Sequence, residues 1–215
     1  MGKAPSFYWE LSLLKTDMII GMKEFLQIFG PLLGFVAMIP YIIDVIRKKT
    51  KPNIVSWLTW TILTGVGSVA VFVQAGFIAS LLPLCATIST LSVVLLGIKY
   101  GFAKYTKFDA YCQASTLVGL ALWGIFNSPL VGLIAAIVID AVAVMPTLRH
   151  AYLRPEEETW QTFAIAFFSS GLTLLSVSNY TASRLSYPLY LTSANGVITA
   201  TIIFMRLKKG LKLSR

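Results

Sequence analysis

Residues 83–90 read PLCATIST and residues 188–195 read PLYLTSAN, and the relation between these two stretches decides the fold. Pro83, Thr87 and Thr90 align with Pro188, Thr192 and Asn195, at spacings of four and three that put each trio on one face of a helix. Two further matches lie upstream in the same order. VAMIP (36–40) pairs with VAVMP (142–146) at the same depth of an apolar stretch. After each comes a polar segment with another proline, Pro52 or Pro155, and then Ser56-Trp57 or Thr159-Trp160. Three matches in one order at nearly constant offset read as an internal duplication.

Composition sets the solvent in which that duplication folds. Of 215 residues, 56% are hydrophobic and 13% charged, the latter about half the roughly 25% usual in soluble domains. The mean hydropathy is +0.75. A soluble chain of this size cannot bury so much apolar surface and still cover itself with polar groups, and a disordered chain would be far less hydrophobic. The chain therefore reads as an integral membrane protein, all-α, with the lipid bilayer as its first partner. A hydrocarbon layer of about 30 Å takes roughly 20 helical residues, and seven stretches qualify, near 25–46, 54–75, 78–99, 108–126, 129–149, 158–178 and 186–206. Spans two and three, and spans four and five (joined at NSP, 127–129), follow so closely that each pair must be a helical hairpin. Residues 1–23 are only patchily apolar and lack a cleavable signal pattern, so they read as an interfacial N-terminal extension with Tyr8 and Trp9 at headgroup level. Cys85 and Cys112 fall in apolar stretches and read as free thiols.

The charges give an orientation. With seven spans the two ends lie on opposite sides, and 14 of the 18 basic residues fall on the side holding RKKTKP (47–52), Arg149, Arg154 and the C-terminal tail. The positive-inside rule makes that side cytoplasmic, with the N-terminus outside and the protein in the cell's inner (plasma) membrane. The net charge of +9 is then a topology signal rather than a nucleic-acid-binding surface. Asp140 alone among the acidic residues is left in mid-span.

Spans one to three (24–100) and five to seven (128–210) thus form two three-helix repeats. Span four (101–127) is the linker that restores a parallel orientation, and 211–215 is a basic tail. This 3+1+3 organisation resembles the SWEET and PQ-loop transporter superfamily, whose relatives include PnuC-type vitamin transporters and the heptahelical KDEL-receptor group. The outside N-terminus and the prolines near the cytoplasmic ends of spans one, two, five and six carry the same resemblance, which covers residues 25–210. The segment PYIIDVIRKKTKPNIVSWLTW (40–60) also resembles a family of uncharacterised bacterial seven-span proteins. The proline–glutamine pair of the superfamily is here Pro40-Tyr41 and Pro146-Thr147, and Thr90 stands where its sugar carriers have one of two asparagines. The resemblance implies a carrier of a small polar or amphipathic solute, sugar-like or vitamin-like, working by alternating access between two bundles.

The candidate solute-binding residues are Trp57, Trp60, Thr87, Thr90, Asp140, Thr192 and Asn195, all in spans two, three, five and seven. A mid-span carboxylate is costly, so Asp140 is either a proton or solute site or a hydroxyl-bonded clamp between repeats. Asn195 carries the same two readings, and each hydroxyl singly reads as helix packing. Trp57 and Trp60 resemble the WxxW pair of PnuC-type carriers. Pro40 and Pro146, each freeing a backbone carbonyl, are the candidate gate hinges. Asp44 is expected to pair locally with Arg47, and His150 with Glu156–Glu158 is expected in a solvated loop. The single histidine supplies no metal set, and no catalytic constellation, nucleotide loop or cofactor motif is present, so neither an enzyme nor a cofactor is expected. A non-transporting heptahelical receptor or accessory subunit is the alternative, with lipid movement behind it. Association with further copies of the chain is left open.

Overall fold

The computed structural model describes residues 4–125, 129–177 and 180–213. Among them are seven α-helices and no strand: α1 (Ala4–Val36), α2 (Met38–Ile46), α3 (Ile54–Tyr100), α4 (Lys107–Ile125), α5 (Pro129–Leu153), α6 (Trp160–Ser176) and α7 (Ala182–Lys208), with a 3-10 turn at Pro155–Glu157. Four stretches are long and apolar enough to cross a membrane: Ser12–Ile46, Pro83–Tyr100, Val131–Leu153 and Ala182–Lys208. Among the described residues Ile54–Val69 is a further, shorter apolar stretch. Large apolar side chains such as Met18, Phe72 and Val73 face outward, the reverse of a water-soluble surface.

The N-terminal segment is not separated from the first span by any break in the helix. It is continuous with the first span as a 33-residue helix, about 50 Å long at about 1.5 Å per residue. The interruption between α1 and α2 is chemical. Proline at 40 has no N–H to donate to the carbonyl of Val36, where α1 ends, whereas Ala37 still bonds Leu33 at 2.9 Å. The two are one rod with a missing bond. Pro146 does not divide α5, which runs unbroken from Pro129 to Leu153.

The 47-residue run of α3 is not straight. Ser68 Oγ and Thr87 Oγ1 are 3.0 Å apart, whereas 19 residues of straight helix would separate them by about 28 Å. The run therefore doubles back between these two residues, as a hairpin joining the second and third apolar stretches requires. At its start Asn53 caps the helix, accepting from the backbone N–H of Val55 (3.0 Å) and Ser56 (3.4 Å). The same side chain donates to Asp109 of α4 at 2.9 Å. Asp109 and Thr106 close a reciprocal capping box there, with Thr106 N–H donating to the carboxylate at 2.7 Å. At the far end Gly101, at φ +112°, turns the chain so that the Phe102 ring packs on Gly97. The expected turn between α4 and α5 at NSP falls largely on Asn127 and Ser128, outside the described residues.

α6 lies between α1 and α7, while α5 packs on α3, α4 and α7. The fully buried apolar side chains gather at one end of the bundle, where the basic loops are: Tyr41, Val45, Trp57, Val93, Phe163 and Ile202 belong to this cluster. Where α1 meets α6 the helices are close at Gly30, whose carbonyl accepts from Ser169 Oγ at 2.7 Å. A β-carbon at Gly30 would lie 2.8 Å from the Thr173 hydroxyl and 3.1 Å from the Ser169 carbonyl oxygen. Gly30→Ala is therefore expected to lower stability by about 1–3 kcal/mol through overpacking. Gly21→Ala, in open space, should be neutral or gain up to about 1 kcal/mol. Thermal unfolding of the detergent-solubilised variants checks the contrast.

Candidate functional site

Above the packed end the helices diverge around a cavity of about 420 Å³ that joins a second of about 460 Å³. The two share Met38, Pro83, Thr90, Tyr187, Leu191 and Asn195. Their walls come from α1, α2, α3, α5, α6 and α7; α4 contributes nothing. Most of the lining is apolar. The polar groups are few and placed at specific points, as in small-molecule sites generally.

Asp140 sits at the middle of α5 and is 6% exposed. The Tyr190 hydroxyl of α7 donates to its Oδ2 at 2.6 Å, and the Trp60 side chain of α3 is a second hydrogen-bond partner of the carboxyl. One acidic group is thus held by two neutral donors from two different helices. The Tyr187 and Tyr190 rings lie 6.3 Å apart, and Trp57 meets Trp60 edge-to-face at 5.0 Å. The structure brings Trp57, Trp60, Thr90, Asp140 and Asn195 of the expected set together on one cavity.

Thr87 and Thr192 are not on that cavity. Thr87 donates to the Pro83 carbonyl at 2.9 Å and turns its methyl toward Gly65, where a β-carbon would lie 3.6 Å away. Thr192 donates to the Pro188 carbonyl at 2.8 Å and turns its methyl toward Gly171 at 4.0 Å. Both are packing residues: helix periodicity put them on one face with Thr90 and Asn195, but that face is wide enough to meet a neighbouring helix as well as the cavity. Most other hydroxyls near the cavity are likewise spent on their own helix. Thr64 donates to the carbonyl of Trp60 at 2.8 Å and Thr90 to that of Thr87 at 3.0 Å. Asn195 donates to Leu191 at 2.8 Å, which leaves its amide oxygen without a protein partner. Thr162 differs. It is buried, lines the cavity, and its hydroxyl has no partner.

Sequence reasoning missed Tyr187, Tyr190 and Thr162. The signal was two tyrosines three apart in a membrane-crossing helix, each hydroxyl needing a partner away from water.

The packed end is held by a second polar group. Glu158, expected in a solvated loop, is 0% exposed, and Arg206 is 1% exposed. Arg206 donates through Nε to the Pro155 carbonyl (2.9 Å) and through a terminal nitrogen to the Glu158 carbonyl (2.7 Å). The Glu158 carboxylate accepts from the Tyr41 hydroxyl at 3.2 Å, and that hydroxyl accepts from the Trp57 indole at 3.1 Å. Asp44, expected to pair locally, accepts from Thr159, 115 residues on, at 2.9 Å, so it works across the fold. Ser56 of α3 donates to the Ala143 carbonyl of α5. Two of the bonds that cross this end are thus made by Ser56 and Thr159, the two positions aligned in the repeat. At the rim Lys51 pairs with Glu157 at 2.7 Å, with His150 and Arg154 each 3.4 Å from the same carboxylate. Cys85 and Cys112 are free. Among the described residues no cluster of His, Cys, Asp or Glu has a metal-binding arrangement.

Comparison with protein-family models, with curated proteins and with solved structures finds no match to this chain.

Two outcomes follow for the packed end. Arg206→Met strands two buried carbonyls and removes a buried charge, which should cost about 3–5 kcal/mol in denaturant unfolding. Arg206→Lys should not restore it, since a point charge does not reproduce the guanidinium fork. For Glu157, burial pushes the carboxyl up, but the hydrogen bond and charge of Lys51, with His150 and Arg154, outweigh it and leave the group below its ordinary 4.5. A depressed carboxyl stabilises the fold above its unfolded value and loses that contribution as pH falls through the folded value. The melting difference between the wild type and Glu157→Gln should therefore persist above pH about 4.5 and fade below it as pH falls through the folded value, which a pH series of melts reads directly.

Proposed function

We propose that this protein is a membrane carrier of a small amphipathic solute, built as two three-helix repeats joined by a linker helix and related in kind to the SWEET and PQ-loop superfamily. The observation that carries the reading is the cavity. It is lined by the six segments of the two repeats and not by α4, the linker, and it has one acidic side chain at the middle of a helix. Further support comes from matched contacts at repeat-related positions. Thr87 and Thr192 make the same bond to the proline four residues earlier, and each faces a glycine of the preceding segment. Carriers place their sites at such repeat interfaces near the bilayer midplane.

In this reading the protein crosses the inner membrane with its N-terminus outside and the basic, packed end cytoplasmic. The Glu158–Tyr41–Trp57 chain closes the cavity on that side. The rod of α1 and α2 bends at the bond that Pro40 cannot make, and Pro146 plays the matching role in α5. Alternating access then means parting the packed end while the opposite ends of α1, α3 and α7 converge. Asp140 carries a proton or a solute charge between the two faces. A receptor that binds without passing its ligand would also have a cavity closed at one end, so flux is the discriminating quantity.

Reconstitution of the full chain in liposomes, with a solute panel and with or without a pH gradient, provides the test. At least one solute should accumulate, and Asp140→Asn should slow it about tenfold or more, the scale of losing one charge-assisted contact of about 1.5–3 kcal/mol. Unchanged flux and pH response in Asp140→Asn would remove Asp140 from transport. Binding without flux for every solute would favour the receptor reading.

A further inference from the structure

The proposed carrier reading leaves the solute class open, and the charge balance of the cavity narrows it. Among the described residues lining the two volumes Asp140, on the first, is the one acidic side chain, and there is no Lys, Arg or His. Its protein partners, Tyr190 and Trp60, are neutral donors. A carboxylate in the membrane interior costs several kcal/mol unless a counter-charge or a proton meets it. The counter-charge, if there is one, arrives with the ligand.

The walls around that carboxylate are what a cation prefers. Trp57, Trp60, Phe163 and Tyr187 line the same cavity, and Tyr190 touches the carboxyl itself. Aromatic faces attract ammonium and other organic cations, most strongly when water is excluded. An anion would meet no cationic side chain among the described lining residues. Thr64 and Thr90 have spent their hydroxyl protons on their own helix, and Asn195 has given one of its two amide N–H groups to Leu191. The Thr162 hydroxyl is buried in the wall without a partner.

We infer that the cavity takes a small organic cation, an ammonium group on an apolar body without carboxylate or phosphate. Asp140 is its counter-ion, Trp60 and Tyr187 are its aromatic faces, and the Thr162 hydroxyl and the Asn195 amide oxygen receive its remaining polar groups. This rests on the carrier reading for the passage of the solute but not for its binding.

The test uses pairs that differ in charge and hardly in shape. Choline is compared with 3,3-dimethylbutan-1-ol, and benzyltrimethylammonium with neopentylbenzene, with benzoate as the anion, on the full-length protein in detergent and in liposomes. Binding is read by quenching of tryptophan fluorescence and passage by uptake of the labelled compound. Each cation should bind about tenfold or more tighter than its neutral partner, the scale of a desolvated cation–aromatic contact, and benzoate should not bind. In Asp140→Asn the advantage of the cation should fall to near one, whereas Tyr190→Phe should keep most of it. The comparison within the unmodified protein stands even where Asp140→Asn does not fold. A neutral member bound as tightly as its cation overturns the cation assignment, giving Asp140 to a proton, and leaves the carrier reading intact wherever the neutral compound is taken up. Cation-selective binding without uptake upholds the assignment and overturns the carrier reading. Failure of every compound to bind or pass overturns both.

Discussion

The structure depends on a carboxylate that water does not reach. Glu158 lies where the chain leaves its polar loop and starts α6, and its burial is tolerable only because Arg206 holds the backbone around it while Tyr41 meets the carboxylate. These residues come from the first rod, the loop before α6 and the last helix, so one polar group ties together the beginning, middle and end of the sequence. The tie also orients what lies above it. Tyr41 receives the Trp57 indole, and Trp57 sets the ring of Trp60, which in turn reaches Asp140. The cavity wall is thereby continuous, through three aromatic rings, with the group that closes the cavity at its packed end.

That arrangement divides the bundle mechanically. At the basic end the contacts are polar, buried and directional, and breaking one strands its partners. At the other end α1 and α6 meet through Gly30 and Ser169 with one hydroxyl bond, and Lys23 and Gln27 of α1 donate to the carbonyls of Val177 and Ser176. The Lys23 and Gln27 bonds are only partly buried, whereas those of Glu158 and Arg206 at the basic end are fully buried. The two ends thus carry different penalties for opening.

Much of this was legible in the sequence, and the reasons for the rest are local. The PLCATIST and PLYLTSAN match identified residues with the same backbone bonds, Thr87 and Thr192 each donating its hydroxyl to the carbonyl four residues earlier, as other hydroxyls of these helices also do. Asp140 was legible because charge is rare in such a stretch. Tyr187 and Tyr190 were not, because their repeat-related positions are Leu82 and Cys85, and a comparison built on likeness passes over the positions that differ. Thr87 and Thr192 were read as facing the cavity because periodicity names a helix face but not the neighbour it meets. Glu158 looks like the last member of an exposed acidic run, and nothing within a helical turn of it announces Arg206, 48 residues further on. The length of α1 was hidden because polar Glu10, Lys15 and Asp17 interrupt its hydropathy without interrupting its backbone hydrogen bonds.

The hydroxyls that bond back to their own helices have one further consequence. The serine and threonine hydroxyls near the cavity look suited to a polyol, yet a hydroxyl that has already given its proton to a carbonyl can only accept from a guest. A sugar leaving water for this cavity would give up many hydrogen bonds and recover few, at roughly 1–3 kcal/mol for each group left bare. A compact, poorly hydrated guest gives up almost none. The polar residues of these helices act less as a binding surface than as a filter on hydration, admitting solutes according to how little water they hold.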